Sequence, residues 1–406
     1  MKRTFFLCLI LCFFLALPLS VPAQESSASP APDAGQLAPS VPTRVFPVTP
    51  TARPGGGKWR IGYYESGDYE EYPLTLRAIA EGLQRLGWLE FPPAPNEISG
   101  EALWKFLAKS TRSDTVEFVG DAYWKPGNFD NNLRPETMKS FAERLKSKHD
   151  LDLVIAMGTW AGQDMARLGT PIPTVVASTS DPFESDIIKS PEDSGQDNLH
   201  ARIYPGRYRN QVRLFHSIIP FKRLGIVYED SPEGRSYAAI AAIESVAEEQ
   251  KFTIVACHAP FSNVEIPVAT QKVLDCYRKI APQVDAVYVT THRGITPASI
   301  RTVAAILRYA QTPSFSMLGS DEVKAGLLMS LAEAEKSYLG LFHAEVIARI
   351  FNGAKPRELN QIWAAPAKIA LNLETIRQIG FDPPMDILLA VDEVYETRRV
   401  APSGEK

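Results

Sequence analysis

Short, almost wholly apolar runs alternate along this chain with longer stretches in which apolar positions recur every three or four residues. The first pattern predicts strands buried on both faces; the second predicts amphipathic helices. The clearest instance runs from Asp150 to Pro182. Leu151 to Met157 is a buried strand, Gly158-Thr159 breaks it, Trp160 to Leu168 is helical, and Gly169-Thr170-Pro171 stops the helix. A second strand, Pro173 to Ala177, then ends in the polar turn Ser178 to Pro182. Both polar turns follow the carboxyl ends of strands, the edge at which open parallel sheets bind ligands.

The remaining pattern repeats this unit. Trp59 to Tyr64 is a strand, the polar and aromatic stretch 65–72 a loop, and Pro73 to Leu86 a helix stopped by Gly87. Residues 89–114, broken by three prolines, form an insertion with a helix near 100–109. Thr115 to Ala122 is a strand and Leu133 to His149 a helix. Beyond Pro182, helices are expected at 208–219, 236–250, 265–280, 296–311, 337–351 and 373–379. They alternate with strands at 223–228, 252–257, 285–289, 313–318, 326–332 and 361–371. Strands alternating with helices are the signature of a parallel α/β sheet. The fold class expected is α/β, with two Rossmann-like lobes joined by a hinge and a cleft between them. Residues 58–180 with 292–318 form the first lobe, and 181–291 with 319–384 the second; 385–406 is a tail.

The N-terminus changes the picture. Lys2-Arg3 precede an apolar run from Phe5 to Leu17, and Val21-Pro22-Ala23 supplies the small residues of a cleavage site near Ala23. This is the pattern of a secretory signal peptide, and the expected location is periplasmic. Cys8 and Cys12 lack the small residues that a lipoprotein site requires. The Ser-, Ala- and Pro-rich stretch 24–57 reads as a disordered linker. Loss of Lys2 and Arg3 takes the formal charge from -4 to about -6, so nucleic acid is not an expected partner. Cys257 and Cys276 remain after processing. An exported compartment permits them to pair, with two buried thiols as the alternative. No spacing suggests a metal site, and no cofactor is expected.

Five stretches carry a family resemblance: Gly82-Leu-x-x-Leu-Gly87, Asp152 to Thr159, Val175 to Pro182, Leu224 to Tyr228, and Asp285 to Val289 with the later Ser320-Asp321-Glu322. The ordered set resembles the substrate-binding proteins of ABC transporters with the type I periplasmic-binding fold, in particular the branch with tryptophan- and tyrosine-binding members. Trp160 stands where that family carries a small residue. The resemblance implies a monomer that captures a small organic ligand, an amino acid and in particular an aromatic one, and delivers it to an ABC permease.

Candidate ligand-binding residues sit in the turns after strands. Thr159 opens a helix whose backbone N–H groups suit a carboxylate. Ser178, Thr179 and Asp181 form the next turn, and Asp181 suits an ammonium group. Thr290, Thr291, His292, Ser320 and Asp321 end two later strands. Tyr64, Tyr69 and Trp160 are candidates for an aromatic wall, beside Glu65 and Ser66. Arg202, Arg207 and Arg209, among Tyr204 and Tyr208, are a basic and aromatic group that suits an anionic ligand. No nucleophile elbow, P-loop, HExxH or GxGxxG is present, so a non-enzymatic binding role leads. A ligand sensor feeding a kinase uses the same closure, and an exported α/β enzyme is the third reading.

Overall fold

The hydrophobic periodicity resolves into two sheets. In the computed structural model, which describes residues 45–396 apart from 97, 333–335 and 364–367, the first sheet has the order β2-β1-β3-β4-β5, all parallel. Its strands are β1 (Trp59–Glu65), β2 (Val116–Trp124), β3 (Leu153–Met157), β4 (Thr174–Ala177) and β5 (Leu199–Ala201). Helices α1 (Glu71–Arg85), α2 (Gly100–Ser110), α3 (Arg134–Ser147) and α4 (Thr159–Leu168) connect them. Period two sends alternate side chains to opposite faces. Ile61, Tyr63, Leu153, Ile155 and Val175 enter one apolar layer; Tyr64, Val154, Ala156 and Val176 enter the other.

The second sheet has the order β12-β11-β10-β9-β8-β6-β7. The chain enters it through α5 (Arg207–Ile218), then β6 (Arg223–Tyr228), α6 (Pro232–Tyr237), α7 (Ile240–Gln250), β7 (Thr253–His258), α8 (Ile266–Ile280) and β8 (Ala286–Val289). It continues through α9 (Ile300–Tyr309), β9 (Ser314–Ser316), α10 (Ser320–Lys324) and β10 (Met329–Ala332). The order β7-β6-β8-β9-β10 repeats the arrangement of the first sheet. After β10, α11 (Lys336–Phe351) packs along α1. The chain then returns through β11 (Lys368–Asn372), antiparallel to β10, α12 (Leu373–Ile379), α13 (Met385–Ala390) and β12 (Glu393–Tyr395).

Several expectations are corrected here. Segment 292–318 belongs to the second sheet, because β9 pairs with β8 and β10. The segment that joins the first lobe is α11, whose approach to α1 depends on small residues: a Cβ on Gly82 would lie 2.7 Å from Ala344 Cβ and 2.8 Å from Gly340 O. The strand expected at 361–371 narrows to β11, with Ile362 bridged to Ile203. The expected helix 236–250 starts earlier and breaks at Ala239, which has φ 52°. The 385–406 tail contributes β12 to the sheet edge.

The expected linker also needs correction at its end. From Phe46, which is buried, the segment lies against the first lobe. The indole of Trp88 donates to Val48 O and that of Trp59 to Thr51 O, while Arg53 and Arg60 both reach the Asp152 carboxylate. The expected signal, 1–23, and the linker up to residue 44 lie outside the described residues. Among the described residues no helix is long and apolar enough to cross a membrane. Cys257 and Cys276 form a disulfide, with Cα atoms 5.6 Å apart, tying the end of β7 to α8.

Candidate ligand site between the lobes

The two sheets meet along the carboxyl ends of their strands. The loop after β2 touches the loop after β7: Asn263 N donates to Phe129 O at 3.1 Å, and Asn131 N to Asn263 Oδ1 at 3.0 Å. The turn after β4 meets α5 and α6, with Tyr208 OH donating to Ser180 O, Ser180 Oγ donating to Tyr237 O, and Ser185 Oγ 2.6 Å from Ser236 Oγ. A rim hollow of about 320 Å³ lies where Asn128, Asp130, Asn263 and Glu265 converge.

Between these contacts lies an aromatic cluster drawn from both lobes. Phe129 meets Trp160 edge to face at 5.6 Å and Phe261 at 5.1 Å; Phe261 in turn lies 4.7 Å from Tyr237. Tyr72 closes one side, 6.4 Å from Phe129. All five rings are at least nine-tenths buried. Rings held this way present flat apolar walls at small entropic cost.

Sequence places Trp160 in this cluster for a local reason. Gly158 sits at φ 94° and ψ 171°, beside Tyr72 OH, which leaves no room for a Cβ. That conformation turns β3 directly into α4 and sends the next side chains into the cleft edge. Ser66 accepts from Ala161 N at 3.0 Å and donates to Met157 O at 3.0 Å, so it caps α4. Thr159 is buried at the first helical position.

Two buried arginines flank the rings. Arg134 lies 4.7 Å over Trp160 and is bound to Asp164 at 2.8 Å, whose other oxygen accepts from Tyr64 OH at 2.9 Å. Arg293 lies 5.5 Å from the Phe129 centroid and is 3% exposed. Its Nη1 donates to three carbonyls, Asn128 O at 3.0 Å, Phe261 O at 3.1 Å and Val264 O at 3.0 Å. Its Nε and Nη2 are buried without a partner, as are Trp160 Nε1 and the Tyr237 hydroxyl. Burial pulls the Arg293 guanidinium below the usual arginine range.

The other expected site residues fall in varied places. Tyr64 points away from the cleft into the apolar layer with Phe141, because the strand pleat gives the opposite face to Tyr63. Glu65 is buried under α2, accepting from Tyr63 OH at 2.8 Å and from Tyr123 OH, and burial pushes its carboxyl up to about 7. Ser178 is half-buried with φ 56°, and Thr179 is buried. Asp181 accepts from Phe183 N and Glu184 N, so it caps its own turn. Thr290 donates to Val227 O at 2.6 Å, and Thr291 N contacts Met317 Sδ at 3.3 Å.

His292 is buried; its Nδ1 accepts from Gly294 N–H at 3.0 Å, which leaves the proton on Nε2 facing Ala259 O at 3.2 Å. Burial pushes its imidazole down to about 4. Ser320 is half-buried and Asp321 exposed. The acid that turns inward there is Glu322, which accepts from Ser316 Oγ, and whose carboxyl burial pushes up to about 7. Tyr69 is half-buried against Tyr72. Arg202 stacks on Trp363, Arg207 on Tyr208, and Arg209 is exposed.

Sequence reasoning missed Arg293, Phe129, Phe261 and Tyr237. The signals were present: Arg293 follows His292 directly, while Phe129 and Phe261 are the lone aromatic residues of short turns, GNFDN and APFSN. Among the described residues no group of three or more His, Cys, Asp or Glu is placed to hold a metal.

This architecture is similar to several solved structures. One is an ABC domain in complex with L-Trp from Streptococcus pneumonia, with 19% identity, 83% of this chain and 99% of that chain covered, and a TM-score of 0.62. A conserved domain protein from Vibrio cholerae is similar at 18% identity, the same coverage and a TM-score of 0.62. A ligand-free, open substrate-binding protein with adhesive properties from Clostridium difficile follows at 18% identity, with 84% and 99% covered and a TM-score of 0.53. No curated protein sequence matches the chain. These likenesses show that the fold is the type I periplasmic-binding fold. The family model described as ABC transporter substrate binding protein matches residues 128–395, well over half of the sequence and parts of both sheets. The chain therefore belongs to the ABC transporter substrate-binding protein family.

Proposed function

We propose that this protein is an exported receptor that captures a small organic solute between its lobes and delivers it to an ABC permease. The observation that carries the reading is the buried aromatic cluster built jointly by Tyr72, Phe129 and Trp160 of one lobe and Tyr237 and Phe261 of the other. A site shared by two lobes binds best when they are closed, so ligand shifts the population toward the closed form that a permease reads. Aromatic walls favour a flat apolar ligand, consistent with an aromatic amino acid. Of the residues singled out in the sequence, this reading keeps Thr159, Trp160 and Thr179 as ligand neighbours. The protein acts as a periplasmic monomer and performs no chemistry on its ligand.

The test is native mass spectrometry of the mature protein purified without refolding, followed by a thermal-shift screen of amino acids and aromatic solutes. A saturable rise in melting temperature, without consumption of the solute, is the expected result. Turnover of any screened compound overturns the receptor reading in favour of an enzyme.

A further inference from the structure

The interlobe cluster holds four buried donor atoms without an acceptor: Arg293 Nε, Arg293 Nη2, Trp160 Nε1 and the Tyr237 oxygen with its proton. A buried donor left unmatched costs more than an ordinary hydrogen bond contributes, and a charged one costs most. Native interiors carry few such groups, and each calls for a physical account. The side chains that carry these four are linked through shared rings. Arg293 lies over Phe129, Trp160 meets Phe129 edge to face, and Tyr237 packs on Phe261, which itself touches Phe129.

The geometry of the guanidinium narrows the ligand. Its Nη1 is consumed by the carbonyls of Asn128, Phe261 and Val264, which anchor the group from behind and across both lobes. What remains is the Nε–Nη2 edge, whose parallel N–H bonds match the two oxygens of a carboxylate. Of the three acids whose charge bears on Arg293, Glu265 makes no hydrogen bond or ion pair with it, and the other two are committed elsewhere. Glu229 accepts from Phe261 N, Ser262 N, Ser231 Oγ and Ser262 Oγ; Asp68 pairs with Lys125 at 2.7 Å. Arg134, the other arginine at the cluster, already has its carboxylate: its Nε donates to Asp164 and its Nη2 to Gln163 and the Trp160 carbonyl. Arg293 is the cation that is placed to meet an anion from outside the chain.

We propose that the Nε–Nη2 edge of Arg293, supported by Trp160 Nε1 and the Tyr237 hydroxyl, is the anion subsite of the interlobe site and takes the carboxylate of a flat, apolar or aromatic acid. The proposal rests on the receptor reading above and specifies its substrate class. Because Arg293 also bonds carbonyls of both lobes, a carboxylate that orders its fork fastens the closed form. Recognition and closure then share one side chain.

The test is isothermal titration calorimetry of the full mature protein with matched pairs, benzoate, phenylacetate, indole-3-acetate and L-tryptophan, each against the amide that replaces its carboxylate. At least one acid is expected to bind ten-fold or more tightly than its amide. Arg293→Lys keeps an ammonium for the three carbonyls but removes the fork; it is expected to lose ten-fold or more in affinity while the unliganded melting temperature moves little. Trp160→Phe keeps the ring, removes the indole donor, and is expected to lose several-fold; it serves as the probe should Arg293→Lys fail to fold. If acid and amide bind alike, or both variants keep wild-type affinity, the anion subsite is wrong and the receptor reading stands. If no panel compound binds and native mass spectrometry finds nothing retained, the receptor reading falls and the subsite with it.

Discussion

Arg134 and Arg293 occupy comparable places on opposite lobes, both buried and both against rings of one aromatic cluster, yet their chemistry differs. Arg134 is closed within the first lobe by Asp164, which Tyr64 also holds. Arg293, on the second lobe, meets only carbonyls and keeps one edge of its fork unmatched. A buried cation with a carboxylate partner is architecture; one without is a demand for a ligand. One lobe thus presents a paired arginine and the other an unpaired one.

The largest expected effect tests the paired arginine. Arg134→Met leaves Asp164 buried and uncompensated, and denaturant unfolding should show a loss of about 3–5 kcal/mol. A loss under about 1 kcal/mol would break the contrast. Next, the Cys257–Cys276 disulfide steadies the end of β7, two residues before the loop whose Phe261 and Val264 carbonyls hold Arg293. Replacing both with Ser should cost about 3 kcal/mol by the chain-entropy argument for a loop of this size. Ligand affinity should weaken with it, whereas damage confined to stability would uncouple that loop from the site.

Two buried groups, one on each lobe, should also titrate in opposite senses. Glu65 in the first lobe is raised by burial to about 7, so its contribution is full at low pH and is lost as pH rises from the unfolded value of 4.5 toward 7. His292 in the second is lowered by burial to about 4, so its contribution is full above the unfolded value of 6.5 and is lost as pH falls toward 4. Glu65→Gln and His292→Asn should therefore change the slope of stability with pH in opposite directions between about 4.5 and 6.5, each by roughly 1.4 kcal/mol per pH unit. Parallel slopes would refute the assignment. The smallest effect is expected at the unpaired arginine. Arg293→Met removes two unmatched buried donors, both on a charged group, but leaves three carbonyls without their donor, and these opposing changes should offset to within about 1 kcal/mol of unliganded stability. A loss matching that of Arg134→Met would make Arg293 purely structural.

Much of the fold was legible because strand burial leaves a dense local signal. Leu153–Met157, Thr174–Ala177 and Ala286–Val289 are buried throughout, as their apolar runs require. The lobe assignment was less legible. Alternating strands and helices do not say which sheet a strand joins, so α9 and β9 were expected in the first lobe although β9 pairs with β8. The site was half legible. Trp160 was marked by its place after a strand, but the pleat turned Tyr64 the other way, and Asp321 proved exposed where its neighbour Glu322 turns in.

The sequence by itself determined the class of fold, the turns that border the cleft and the cysteines able to pair, since each depends on residues near one another in the chain. Only the tertiary structure decided that α11 returns to the first lobe, and that Asp164 pairs with Arg134 while, among the described residues, no acid forms an ion pair with Arg293. Whether a buried charge has a partner depends on residues far apart in sequence. Phe129 and Arg293, which meet here, come from different lobes and lie 164 residues apart in sequence.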